Sequence, residues 1–137
     1  MIVFLVSVAL ILYVLALYPL LIEVWPSRKC ATTHQSSEYR SVSVIIPVHN
    51  GGRFLRRKLE SVLASEYPRD LLEIIVVSDG SNDETNSIVE EYAGAGITLL
   101  KLPRSGKAAA LNAGAARANG DMLVLTDVRQ DLLPQSI

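Results

Sequence analysis

The apolar positions of this chain fall into two regimes. From Ile2 to Ile22 the run IVFLVSVALILYVLALYPLLI has no charged side chain, whereas beyond Glu23 the apolar runs are short and broken by charge. At about 1.5 Å per residue the first run is long enough to cross a hydrocarbon core of roughly 30 Å as a helix. Tyr13, Tyr18 and Trp25 supply amphipathic rings, the last two toward the carboxyl end, where an interface is expected. Pro19 is expected to kink or end the helix there. A cleaved signal peptide needs a basic stretch before a shorter apolar core, and a small-residue cleavage site after it. Here only the terminal amine precedes the run and Pro-Leu-Leu-Ile-Glu-Val-Trp is a poor site, so an uncleaved anchor is expected over 1–26. Arg28 and Lys29 just past the span predict a single pass with the soluble part on the cytoplasmic side.

Residues 27–41 are polar and aperiodic and are expected to be a linker. From residue 42 short apolar runs alternate with helical periods. Val42 to Pro47 reads as a buried strand ended by proline. Phe54, Leu55, Leu59, Val62 and Leu63 recur at helical spacing, which predicts a helix over 52–66, closed by Pro68. Leu72 to Val77 and Ile97 to Leu102 read as further strands, and Met122 to Thr126 as a fourth. Ser81-Asn-Asp-Glu84 has the form of a capping box opening a helix to about Ala93. Lys107 to Asn119 is Ala-rich and helical, with Gly120 expected as its left-handed stop. Continuous apolar strands alternating with helices predict an α/β domain over 42–137, a parallel sheet with helices on both faces.

Composition changes this picture little. The mean hydropathy of +0.30 over 137 residues is carried by the first run. What remains is one small domain of roughly 100 residues, enough for one core. A formal net charge of −1 with scattered basic residues gives no footprint for nucleic acid. Cys30 is the only cysteine, which excludes an internal disulfide and a cysteine-built zinc site. His34 lies in the linker and points to nothing.

Ligands of parallel sheets sit outside the carboxyl ends of the strands, so the candidate chemistry lies in 47–52, 78–83, 103–107 and 126–129. Two familiar phosphate motifs fail there. Pro47-Val-His-Asn-Gly-Gly52 does not supply Gly-x-Gly-x-x-Gly, and Gly94-Ala-Gly96 lacks the third glycine. Gly106-Lys107 resembles the end of a P-loop, but Lys101 and Ala108 stand where Gly and Ser/Thr are needed.

Taken in order, VSVIIPVHN, EIIVVSDGSNDET and GKAAALNAGAARANGDMLVLTD resemble the inverting, nucleotide-sugar-dependent family 2 glycosyltransferases of the GT-A fold over about residues 41 to 130. Together with the transmembrane helix read from the apolar run, the resemblance implies an incomplete GT-A, Rossmann-like sheet after it. It also implies a sugar moved from a UDP- or GDP-type donor to a polysaccharide, lipid or protein glycan. By resemblance, Pro47 and Asn50 lie near the nucleotide base, Asp79 contacts the base, and Lys107 approaches the diphosphate. Asn112 and Gly114 match the Leu-Asn-x-Gly signature. Asp127 matches the first acid of Asp-x-Asp, which touches ribose or metal.

The residue chemistry agrees. A carboxylate can accept the imino proton of uracil, and a lysine at a helix amino terminus adds its charge to the helix dipole at a phosphate. A carboxylate ending the fourth strand suits Mg²⁺ or Mn²⁺. Blander roles compete: Ser81 and Asp83 as caps, His49 as a satisfied loop residue, and Asn112 as a packing or hydrogen-bonding residue of the fold.

Three positions depart from the family pattern. Gly51 follows Asn50 where Asn-Glu is common, Ser78-Asp79 keeps only the second of two acids, and Asp127-Val128-Arg129 places a guanidinium where a metal ligand belongs. Either Arg129 binds the donor diphosphate directly, replacing metal, or Asp127 alone holds the ion with water and phosphate. No residue here can be assigned as the general base, which the resemblance puts beyond Ile137. A partner chain carrying the acceptor half, a non-catalytic nucleotide-sugar-binding membrane protein, or a truncated inactive product are the other readings.

Overall fold

The computed structural model describes residues 1–20 and 39–137. Trp25, Arg28, Lys29, Cys30, His34 and most of the expected linker lie outside the described residues. The chain divides into two units, Met1–Ser36 and Ser37–Ile137.

In the first unit a helix over Ile2–Leu20 is long and apolar enough to cross a membrane. It begins as an α-helix, α1 (Ile2–Leu12), and widens into a π turn at Tyr13–Leu17. Pro19 lies within this helix, one residue before the last described one. Proline has no amide proton to return to the preceding turn, and the ladder widens just before it: the Tyr18 amide donates to the Tyr13 carbonyl, five residues back.

The second unit is a parallel four-stranded sheet in the order β3-β2-β1-β4, with β1 at Val42–Val48, β2 at Leu72–Asp79, β3 at Ile97–Leu102 and β4 at Met122–Leu125. The helices are α2 (Gly52–Leu63), α3 (Thr85–Glu91) and α4 (Lys107–Arg117). Alternation sends side chains to two cores. Val44, Ile46, Val48, Ile74 and Val76 meet Leu55, Leu59 and Val62 of α2 and Ile88 and Val89 of α3 on one face. On the other face Ile45, Ile75 and Val77 meet Ala110 and Leu111 of α4. That second face is covered only in part: Leu123 and Leu125 of the edge strand β4 are 46% and 56% exposed.

Local details differ from the sequence expectations for identifiable reasons. Pro47 does not end β1, which continues to Val48. The Thr126 amide donates to the Ile45 carbonyl, so by alternation the missing N–H of Pro47 also faces the side of β4. The β1–β4 pairing stops at Ile45↔Leu125, so no ladder bond is lost. The capping box does not form. Glu84 is the N-cap residue of α3, and the Asp83 carboxylate accepts from the Thr85 amide instead. The helix α4 stops at Arg117, with Ala118 already extended. Gly120 is required by a close approach rather than a left-handed turn, since a Cβ there would lie 2.6 Å from the Ser43 amide nitrogen.

Candidate functional site

The loops after β1, β2, β3 and β4 gather at one end of the sheet, and their polar groups are laced together. Asn50, in the left-handed region at φ 48°, accepts from the Asn82 amide through Oδ1 (2.8 Å) and donates its own amide to Ser81 Oγ. His49 Nδ1 lies 2.7 Å from the Asp79 carbonyl oxygen, which puts its proton on that nitrogen. This satisfied histidine matches the bland expectation. The Gly51 and Gly52 amides donate to Thr85 Oγ1 and Asp83 Oδ2. Gly51 also explains the absent Asn-Glu pair: a Cβ at 51 would sit 2.5 Å from Val48 Cγ2 and 3.4 Å from Val128 Cγ1. No larger residue fits without displacing Val48.

Asp79 ends β2 and is 2% exposed. Its carboxylate accepts from the Ser105 amide at 2.6 Å, the Gly106 amide at 3.0 and 3.1 Å, and the Arg104 guanidinium. Backbone donation from Ser105 leads the causes that hold this carboxyl below its ordinary range. Its chemistry is thus directed at the loop Pro103–Gly106, which it shapes ahead of α4. Gly80 (φ 64°) allows the loop to close, since any Cβ there would meet the Arg104 backbone at 2.7 Å.

Lys107 is the first residue of α4, after Gly106 at φ 91°. Its Nζ lies 2.9 Å from Asp127 Oδ2, while Asp127 Oδ1 accepts from the Arg129 amide at 3.0 Å. The Arg129 amide and then the Lys107 ammonium hold the Asp127 carboxyl below its usual range. Val128 is buried, so the turn directs Asp127 and Arg129 outward around an apolar pin. The Arg129 guanidinium stands 5.7 Å from the Phe54 ring centroid and makes no ion pair among the described residues. The site thus brings together Asn50, Asp79, Lys107, Asp127 and Arg129 at the strand ends. Pro47 is buried in β1, and Asn112 is exposed on α4, not packed in the fold as expected.

A divalent cation needs several hard oxygen donors. Among the described residues no three metal-ligating side chains cluster, and both oxygens of Asp127 are engaged by Lys107 and Arg129. The donor set does not fit a protein-built metal centre.

The carboxylates that knit this unit share a pH signature. For Asp83 and Glu73, burial acts upward but is outweighed by donors, Thr85 and Gly52 to the first, Asn119 and Ser43 to the second. With Asp79 and Asp127 they all titrate below the ordinary values of 3.8 for Asp and 4.5 for Glu. A lowered folded value means stability that is complete above the ordinary value and is lost as pH falls through the folded one. The urea midpoint is expected to be flat from pH 7 to about 5 and to drop below about pH 4; a flat profile to about pH 3 would contradict these roles.

A parallel sheet with helices on both faces, a basic helix start and polar loops at its strand ends has the architecture of nucleotide-binding α/β proteins. Residues 43–128 match the family described as Glycosyl transferase family 2, and the chain belongs to that family. It is similar to the probable glycosyltransferase YdaM of Bacillus subtilis (strain 168), 42% identical over 96 residues, covering 66% of this chain and 23% of that protein. Mannosyltransferase PcManGT from Pyrobaculum calidifontis, solved in complex with GDP-Man and Mn²⁺, is 36% identical with a TM-score of 0.65, over 68% of this chain and 28% of that one. S. aureus TarS 1–349 in complex with UDP-GlcNAc is 27% identical with a TM-score of 0.66, over 69% of this chain and 28% of that one. The chain spans 23% of the length of YdaM, and between 12% and 29% of the other curated relatives compared.

Proposed function

We propose that this chain forms the donor-binding part of a membrane-anchored glycosyltransferase and holds a UDP- or GDP-type sugar for transfer to a glycan or lipid acceptor. The observation that carries this reading is the convergence of Lys107, the amino terminus of α4 and Arg129 around Asp127 at the carboxyl end of the sheet. Two cations and a helix dipole in one place suit a diphosphate. Solved relatives holding GDP-Man and UDP-GlcNAc support the same class of ligand. In this reading Pro47 and Asn50 shape the base-binding loop, Asp79 sets the wall of that pocket, and Asp127 orients Lys107. The helix Ile2–Leu20 anchors the chain, with the second unit on the cytoplasmic side.

The diphosphate is held by guanidinium and ammonium in place of Mg²⁺ or Mn²⁺, because the carboxylate a metal would use is already paired. Calorimetric titration of the detergent-solubilised chain with UDP and GDP, in Mn²⁺ and in EDTA, tests this. The expected result is similar affinity in both buffers, and a loss of about tenfold in Arg129→Ala. A large loss of affinity in EDTA would overturn the metal-free arrangement, and no binding of either nucleotide would overturn the donor-binding reading itself.

A further inference from the structure

The helix α2 carries a charge where its buried stripe should be apolar. Leu55, Leu59 and Val62 face the sheet, and Lys58 occupies the intervening position of the same stripe. Its side chain is 0% exposed. An ammonium is seldom buried without a purpose that offsets its desolvation. Here Nζ donates to Thr126 Oγ1 at 2.7 Å and to the Gln130 carbonyl oxygen at 2.6 Å. Those two acceptors bracket Asp127-Val128-Arg129. Lys58 therefore ties together the two ends of the turn that displays the Asp127 carboxylate and the Arg129 guanidinium, from beneath, without reaching the ligand side.

From this geometry we propose that Lys58 is a positioning residue for donor binding, a buried clamp that fixes the 126–130 turn and so aims Asp127 and Arg129 at the diphosphate. The proposal rests on the donor-binding reading above for its functional half only. Three fastenings act on the turn together. Val128 is sunk in the core against the space left by Gly51, the Asp127 carboxylate caps the Arg129 amide, and the Gln130 amide closes onto the Asp127 carbonyl. Beyond these three, Lys58 connects the turn to α2 by hydrogen bonds to both of its sides. Asp131 and Asp127 act on its ammonium through longer-range attraction, and Asp131 is itself paired with Arg57. Neither bonds to Nζ, so the two short neutral contacts define where it sits.

The test compares the whole detergent-solubilised chain with Lys58→Met, which keeps the length of the side chain and removes its donors. Val89→Ala, a core truncation on α3 away from the turn, serves as a control for general destabilisation. Amide exchange across 126–130, read by mass spectrometry, and affinity for UDP and GDP, read by calorimetry, are measured for each. The clamp predicts exchange in this segment faster by about tenfold or more in Lys58→Met, and nucleotide affinity weaker by about tenfold, the worth of a hydrogen bond to a charged group. Val89→Ala should leave both near wild type even where its melting temperature falls as far. Unchanged exchange at 126–130 in Lys58→Met, or equal loss of affinity in Val89→Ala, overturns the proposal. If Lys58→Met does not fold, Thr126→Val removes one of the two acceptors and must show the same faster exchange, or the clamp is refuted. A wild-type chain that binds neither nucleotide removes the donor reading, while the exchange measurement still decides whether Lys58 fastens the turn.

Discussion

Gly114→Val is expected to destabilise the second unit by about 3 kcal/mol, the upper range for overfilling a packed core. A Cβ at 114 would lie 2.5 Å from Ile45 Cγ2 and 3.0 Å from Val77 Cγ2, both in the centre of the sheet. Helix α4 rests on β1 and β2 at this residue, and the approach is closer than any side chain permits. The informative companion is Gly114→Ala. Helix propensity alone would make it stabilising by about 1 kcal/mol, so a loss of stability identifies the sheet contact as the stronger effect. Urea unfolding followed by circular dichroism reads both variants; a Gly114→Ala chain more stable than wild type would show that α4 can lift without cost. Such lifting would also carry Lys107 away from Asp127, so nucleotide affinity should fall even where stability does not.

Asp79→Ala is the second large effect, and it should reach binding more than folding. The substitution leaves the Ser105 and Gly106 amides and the Arg104 guanidinium without their common acceptor, in a loop that leads directly into Lys107. Binding of UDP or GDP by calorimetry is expected to fall below detection, accompanied by a drop in melting temperature. Asp79→Asn should be intermediate, because an amide oxygen can serve the backbone donors while its NH₂ group opposes Arg104. Nucleotide affinity in Asp79→Asn equal to wild type would mean that the carboxylate charge has no part in the site.

The alternation of elements was legible because the strands are short, largely apolar runs and the segment over 52–63 repeats its apolar residues at helical spacing. What escaped was set by contacts between distant parts of the chain. The form Ser-Asn-Asp-Glu matches a capping box, yet Ser81 is drawn away to Asn50 and Asp83 takes the capping bond. Asp79 reads as an acid free for a ligand, and nothing in its own segment announces the three donors arriving from 104–106. Lys58, by contrast, left a signal: a lysine spaced three from Leu55 and four from Val62 lies on the buried stripe. Reading lysine as a solvated residue by default conceals it. Of the site, Lys107 and Asp127 were recognisable from their motif, but their mutual ion pair depends on how α4 and β4 are juxtaposed across β1.

The two borders of the sheet differ in a way that bears on handling the protein. Along β3 the outermost strand carries Lys101, paired with Glu90, a charge that discourages another strand from docking. Along β4 the sequence Met-Leu-Val-Leu has no charge, no proline and no bulge. Its outer backbone groups and its leucines offer a template to any extended segment nearby, including the same strand of another molecule. In detergent, where the apolar helix Ile2–Leu20 is covered, this border is a remaining template for self-association: turbidity should rise with concentration, and Leu123→Lys should suppress it.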